Sequence, residues 1–211
     1  MRRSAADGCK PAAARIGCST YNKSMFRCEI GDNIELRPFE EYHAEEIFAA
    51  VERNREHLRR WLPWVDRTLA VEDVQGFLAG AIEAFGRGEE MHAGIFIHGK
   101  LAGTVGHHRI DAHNRNVSIG YWLDATVEGK GVMTRCCRAL LRHLFEERRM
   151  HRVEIRCATG NTRSCAIPAR LGFTRDGVLR EAEWVNDRFL DLMVWSLLER
   201  DYFKGAAGCT S

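Results

Sequence analysis

The chain has 211 residues, 45% hydrophobic and 28% charged, with a formal net charge of +2, a make-up that suits one compact globular domain with a full-sized core. That charge is too small to argue for nucleic acid, membrane or an acidic partner, and no apolar run approaches the roughly 20 residues a membrane helix needs. Eight cysteines and nine histidines are scattered without a CxxC pair or zinc-like spacing, so the thiols are expected to be reduced and no metal is expected.

Residues 1–30 show no sustained period, are rich in Ala, Ser, Gly and basic side chains, and read as a disordered extension. Met25 offers a second start just ahead of the first strand-like segment, which makes 1–24 a dispensable tail or a mis-assigned start. The domain is expected over 31–203, with a short frayed end at 204–211. Ile34, Leu36 and Pro38 suggest a short strand closing into a turn. Residues 44–60 read as a helix with Ile47, Phe48, Val51, Leu58, Trp61 and Leu62 on its apolar side. A stronger helix carries Val74, Phe77, Leu78, Ala81, Ile82 and Phe85 at helical spacing and ends at Gly86 and Gly88.

Strands at 92–97 and 101–110 join across His98-Gly99-Lys100, a hairpin signal, and a third at 117–123 makes an antiparallel meander. A long amphipathic helix over 132–149 follows, with Met133, Cys137, Leu140, Leu141 and Leu144 inside. A half-buried strand at 153–157, a short helix closed by Gly172, and strands at 177–184 and 189–197 around Asn186-Asp187 complete the chain. The fold class is α+β: a single domain whose mixed, mostly antiparallel sheet of about six to seven strands is flanked by helices.

The stretch Val127-Glu128-Gly129-Lys130-Gly131-Val132-Met133-Thr134 stands between a strand and a helix. Small residues let backbone approach an anion, and the helix start supplies unpaired N–H groups and partial positive charge. A pyrophosphate is the natural guest. The third glycine of a dinucleotide fingerprint and the GK[ST] ending of an NTPase loop are both missing. Tight strand-to-helix turns also take glycine for their own sake, so the loop alone leaves the function open.

IGYWLDATVEGKGVMT, then NTRSCAIPARLGF, then LREAEWVNDRFLDLMVWSLL, with HLRRWLPWVD near the front, resemble the GNAT superfamily of N-acetyltransferases. They most resemble its RimL-like branch of ribosomal-protein N-terminal serine acetyltransferases, over about 34–202. The acetyl-CoA signature of that superfamily is Q/R-x-x-G-x-G/A; Gly131 matches its first glycine, while Glu128 and Met133 depart from its Gln/Arg and final Gly/Ala. The resemblance implies a sheet splayed between 119–123 and 153–157 to admit coenzyme A. It implies acetyl-CoA as co-substrate, bound by Trp122, Leu123, Gly129, Lys130, Gly131, Val132, Met133, Thr134 and Asn161, with a backbone N–H near Trp122 or Leu123 polarising the thioester carbonyl. The amine attacks directly in a ternary complex.

Direct attack needs a base near the amine and a proton for the departing thiolate. Deprotonation costs about 1.36 kcal/mol per pKa unit above ambient pH, so roughly 1 kcal/mol for a terminal amine and about 4–5 for a lysine. A single carboxylate therefore suits an α-amine. By the resemblance Glu183 is the base, with Glu181 on the same face as runner-up, and Ser164 is the donor to the thiolate. Asn161 and Ser164 are also good helix caps, and Glu183 without the resemblance would be a solvated strand carboxylate. Cys165 as a nucleophile would imply a ping-pong path, which no nearby His–Asp arrangement supports. Trp61, Trp64 and Trp122 are expected to line the acceptor groove. Three readings follow: acetylation of a protein N-terminus of the ribosomal-protein type, acetylation of a small amine (aminoglycoside, polyamine or amino acid), and a coenzyme-A-binding module without catalysis. A cytoplasmic monomer or homodimer with no nucleic-acid partner is expected.

Overall fold

The computed structural model describes residues 27–207; the expected extension over 1–26 and the end at 208–211 lie outside the described residues. The chain opens with β1 (Cys28–Gly31), turned back onto β2 (Ile34–Pro38) by Asp32 and Asn33 at φ 52° and 57°. Asp and Asn tolerate this left-handed backbone, which the tight hairpin demands. The sheet thus starts three residues before the boundary expected from the sequence and gains an eighth strand. Four residues are too short a run to announce themselves by alternation.

β3 (Met91–Ile97), β4 (Lys100–Asp111), β5 (Asn116–Leu123), β6 (Arg152–Ala158), β7 (Thr174–Val185) and β8 (Arg188–Leu198) complete an eight-stranded sheet in the order β1-β2-β3-β4-β5-β6-β8-β7. Every neighbouring pair is antiparallel except β5 with β6. That parallel ladder runs only from Asn116↔Arg152 to Ile119↔Ile155. Beyond it β5 stays on β4 as far as Gly103↔Leu123, whereas β6 stays on β8 as far as Ala158↔Leu192. The two central strands therefore part, as expected, and leave facing backbone edges free.

Helices cover both faces. On one, α4 (Val132–Arg142) sets Met133, Cys137, Leu140 and Leu141 against Val105, Ile119, Val153 and Ile155. On the other, α1 (Ala44–Arg53) and α3 (Val71–Gly86) bury Ile47, Val51, Val74 and Leu78 against Phe96, Leu101 and Trp122. α4 gives way to a π-helical turn at His143–Glu147 instead of running to 149. α5 (Thr162–Arg170) ends at Gly172, whose φ of 82° serves the C-terminal turn. α6 (Glu199–Ala207) carries helix into the segment expected to fray. Phe77, expected inside, is 47% exposed and sets its ring edge-on to His92 at 5.2 Å.

The helix expected over 44–60 is broken at Asn54 (φ −114°, ψ 7°), and α2 (Arg55–Leu58) follows as a separate turn. The side chain of Asn54 is committed elsewhere: its Nδ2 donates to the Ala50 carbonyl and to Asp124 Oδ2, both at 2.9 Å, and its Oδ1 accepts from the Ala125 amide at 3.1 Å. Asp124, just past the end of β5, also accepts from Arg53 Nε at 2.8 Å, the Thr126 amide at 2.9 Å and the Thr126 hydroxyl at 2.7 Å. Burial pushes its carboxyl upward in pKa, but the donors from Asn54, Thr126 and Arg53 prevail and hold it well below the usual carboxylate range.

Asp124→Ala is expected to cost about 2–3 kcal/mol at neutral pH, because a buried amide and a partly buried guanidinium lose their acceptor. A carboxyl with a depressed folded-state pKa stabilises above its unfolded value near 4, and that stabilisation drains away as pH falls through the folded value. Urea unfolding should therefore show the gap between wild type and variant narrowing from pH 7 to pH 3; a gap of constant size would contradict the assignment.

Candidate active site

Where β5 and β6 part, a cleft of about 750 Å³ opens. Its floor is the end of β5 (Tyr121, Trp122, Leu123), one wall is the loop from Gly129 into α4, and the other is α5 with Asn161, Ser164 and Ile167. His57, Leu58, Trp61 and Leu62 of the α2 region form its roof. All nine residues expected from sequence to bind the cofactor line this one cleft, and Ser164 joins them.

Gly131 begins α4 at φ 74°, and Gly129 sits at φ 76°. A Cβ at either would meet nothing within 4 Å, so glycine is required for its left-handed backbone and not for space. The first-turn amides of α4 have no carbonyl within their own helix and face the cleft, as an anion site requires. Lys130 Nζ donates to the Thr126 carbonyl at 3.3 Å, and Arg135 is ion-paired with Asp32 at 2.6 Å. Both positions where this loop departs from the family signature find a structural answer. Met133, 5% exposed, turns its bulk into the main core. Glu128 is held by a hydrogen bond with His57 Nε2 at 2.9 Å and by an ion pair with Arg163, so it is anchored from both sides of the cleft.

Asn161 caps α5, its side chain accepting from the Ser164 amide at 3.1 Å. The hydroxyl of Ser164 donates to the phenol oxygen of Tyr121 at 3.3 Å, and that phenol donates to the Ser164 carbonyl at 3.2 Å. Burial pushes the Tyr121 phenol well above its ordinary pKa, so it remains a neutral donor. Sequence reasoning passed over Tyr121; its only signal was its place inside the IGYWLD segment. His57, Arg163 and Arg170 were likewise missed, although they too lie inside the HLRRWLPWVD and NTRSCAIPARLGF segments.

Glu183 stands on β7 outside this lining, half-buried and paired in register with Leu190. Burial raises its carboxyl above the usual range, with Arg109 pulling the other way. Glu181 does not share its environment as alternation implied. A bulge between Leu179 and Glu183 interrupts the ladder, and Glu181 lies exposed at φ 49° with its amide bonded to Asp191. Trp61 lines the cleft and approaches Gly160, where a Cβ would sit 3.5 Å from its ring. Trp64 instead packs beside Trp122 in the second core, with ring centroids 6.4 Å apart. The tip of the β7–β8 hairpin reaches the α2 region, where Asn186 Nδ2 donates to the Arg59 carbonyl and Arg188 Nη2 to the Arg60 carbonyl. Among the described residues no group of three or more His, Cys, Asp or Glu could hold a metal ion, and no helix is long and apolar enough to cross a membrane.

Residues 33–174 match the family described as acetyltransferase (GNAT) domain. YdaF of Bacillus subtilis, provisionally named a ribosomal N-acetyltransferase, is 32% identical over 179 residues, covering 84% of this chain and 98% of its own. The ribosomal-protein-serine acetyltransferase of Escherichia coli is 27% identical over 168 residues, covering 80% and 94%. Among solved structures, RimL, a ribosomal L7/L12 alpha-N-protein acetyltransferase in complex with coenzyme A as a cysteine disulfide, superposes with a TM-score of 0.78 at 28% identity, covering 81% of this chain and 96% of that one. The microcin C7 self-immunity acetyltransferase MccE, in complex with acetyl-CoA and AMP, gives 0.79 at 26% identity, covering 85% and 98%.

Gly131→Val would place a β-branched residue in left-handed backbone at a cost of about 1–2 kcal/mol, relieved by turning the amides out of line. Calorimetric titration with coenzyme A should then show affinity about tenfold weaker, with the circular dichroism of the fold retained. Wild-type affinity in a folded variant would dismiss the loop as the diphosphate site.

Proposed function

The chain belongs to the GNAT acetyltransferase family, and on that footing we propose that it acetylates the N-terminal α-amine of a ribosomal protein. It is an acetyl-CoA-dependent N-acetyltransferase. One observation carries the cofactor site: a parallel strand pair that ends at Ile119↔Ile155 and opens toward the left-handed glycine at the head of α4. This gives an extended thioester arm free strand edges to pair with and gives its diphosphate a set of unpaired amides. The ribosomal acceptor is supported by relatives that carry such names over nearly their whole length, and a cytoplasmic location fits it.

Acetyl-CoA supplies the activated acyl group, and the protein's own residues do the rest. Gly129, Lys130, Gly131, Val132, Met133 and Thr134 would hold the diphosphate through backbone amides. At the end of β5, Leu123 would present strand backbone to the thioester carbonyl, the backbone of Trp122 lying on the side bonded to β4. Asn161 fixes the first turn of α5 and so the place of Ser164, whose hydroxyl would give its proton to the leaving thiolate and regain one from solvent. Tyr121 accepts from that hydroxyl and so fixes its position at the cleft floor. Glu183 takes the proton of the amine; partial burial, by raising its pKa, makes it a better base than a solvated carboxylate.

Glu183→Gln is expected to lower kcat about 100-fold or more while leaving affinity for acetyl-CoA unchanged. In the wild-type enzyme kcat/KM should rise with pH through a limb displaced upward from an ordinary carboxylate, and this limb should vanish in the variant. Wild-type rates for Glu183→Gln across the pH range would remove the base assignment. A parallel turnover screen with N-terminal ribosomal-protein peptides and small amines tests the acceptor. A preference for a polyamine or aminoglycoside over every peptide would overturn it, and coenzyme A binding without amine-dependent thiol release would mean a module without catalysis.

A further inference from the structure

Two thiols unused by this chemistry meet at the edge of the cleft. Cys157 lies on β6, two residues beyond the point where β6 leaves β5, and Cys165 lies on the first turn of α5, next to Ser164. Their sulfurs are 3.0 Å apart, and the Cys165 thiol also points at the Ala158 carbonyl at 3.5 Å. The other described cysteines offer no such pairing. Cys136 and Cys137 are wholly buried neighbours on α4, and Cys28 lies against Arg142 on the far side of the sheet edge.

We propose that Cys157 and Cys165 form a reversible oxidative modification site, a dithiol that peroxide closes to a disulfide and thereby disables proton delivery at Ser164. The order of events follows from access, since Cys165 is partly exposed and Cys157 is 6% exposed. Burial and the neighbouring Cys165 thiol push the Cys157 thiol up in pKa, so Cys165 is the sulfur that meets the oxidant. The Cys165 sulfur attacks hydrogen peroxide: an S–O bond forms, the O–O bond breaks, and the departing hydroxide leaves as water with the Cys165 proton. The Cys157 sulfur then displaces the hydroxyl of that sulfenic acid; the S–S bond forms, the S–O bond breaks, and a second water carries off the Cys157 proton. Two thiols and one peroxide thus give one disulfide and two waters.

Closing the sulfurs from 3.0 Å to a bond of about 2.05 Å ties the first turn of α5 to β6, through rotation of the two side chains and movement of the backbone that carries them. Ser164 is covalently adjacent and moves with it. Misplacement of a reacting group by about 1 Å can cost on the order of 100-fold in rate, so oxidation is expected to lower turnover about 10- to 100-fold and a thiol reductant to restore it.

The site lends itself to a direct test on the full chain. Trypsin cuts after Arg156, Arg163 and Arg170 and leaves each thiol alone in its own peptide, 157–163 and 164–170. Treatment of the reduced protein with hydrogen peroxide, followed by alkylation and digestion, should yield these peptides joined, lighter than their sum by two hydrogen atoms, in parallel with the loss of turnover. Cys165→Ser and, separately, Cys157→Ala should yield no joined peptide and should keep their turnover after a peroxide dose that silences the wild type. The proposal is overturned if both peptides are recovered separately alkylated, if either thiol is found on coenzyme A or another cysteine instead, or if the joined form turns over at full rate. Because peptide linkage is read without any turnover, failure of the acetyltransferase assignment would appear separately, as inactivity of the reduced protein.

Discussion

The architecture turns on one strand pair that stops early. Parallel pairing of β5 with β6 is confined to four register positions, from Asn116↔Arg152 to Ile119↔Ile155. Beyond them each strand keeps its outer neighbour and loses its inner one. Backbone groups in the middle of a sheet need partners, so the divergence creates an obligation that an extended, amide-bearing ligand can meet. The strands are held apart from outside the cleft. Asp124 clamps the end of β5 to Asn54 and Arg53 of the first helical layer, while β6 remains zipped to β8. Both cores lie against the sheet on opposite faces of this gap, so closing it would mean repacking each of them.

Electrostatics at the cleft follows the same economy. An acidic residue in an anion-binding loop is unfavourable if bare, yet Glu128 is tied to His57 on the roof and to Arg163 on the facing wall. The carboxylate thereby becomes a bridge between three elements that frame the opening. Met133 shows the matching steric solution, since the first turn of α4 directs its side chain into the core and leaves its amide on the cleft side. The loop keeps left-handed backbone at Gly129 and Gly131 even though Glu128 and Met133 depart from the family signature.

What was legible in the sequence was whatever depends on local pattern. The apolar stripe of α4, the alternation of β6, the two-residue turns at His98-Gly99 and Asn186-Asp187, and the glycines of the anion loop all stand where periodicity and turn chemistry put them. What stayed hidden depends on partners far along the chain. The break at Asn54 is caused by residues about 70 positions away, so no helical pattern could reveal it. The β7 bulge separates Glu181 from Glu183 by a slip in pairing that side-chain alternation does not encode. Tyr121 acquires its role only because α5 brings Ser164 across to it. Phe77 had the right spacing for the core, but α3 presents that position to the rim, where His92 is its neighbour.

The clasp between the β7–β8 tip and the carbonyls of Arg59 and Arg60 bears on how the protein comes into being. β6 has its second neighbour only in β8, and the roof over the cleft is fastened by residues from the last quarter of the chain. A nascent polypeptide released as far as α5 would own the anion loop, the capping asparagine and the serine, yet its β6 edge would be bare and its roof untethered. The cleft is thus completed only once the β7–β8 hairpin has been made and has paired with β6. Until that moment the half-made sheet exposes an open strand edge that chaperones or premature partners could occupy.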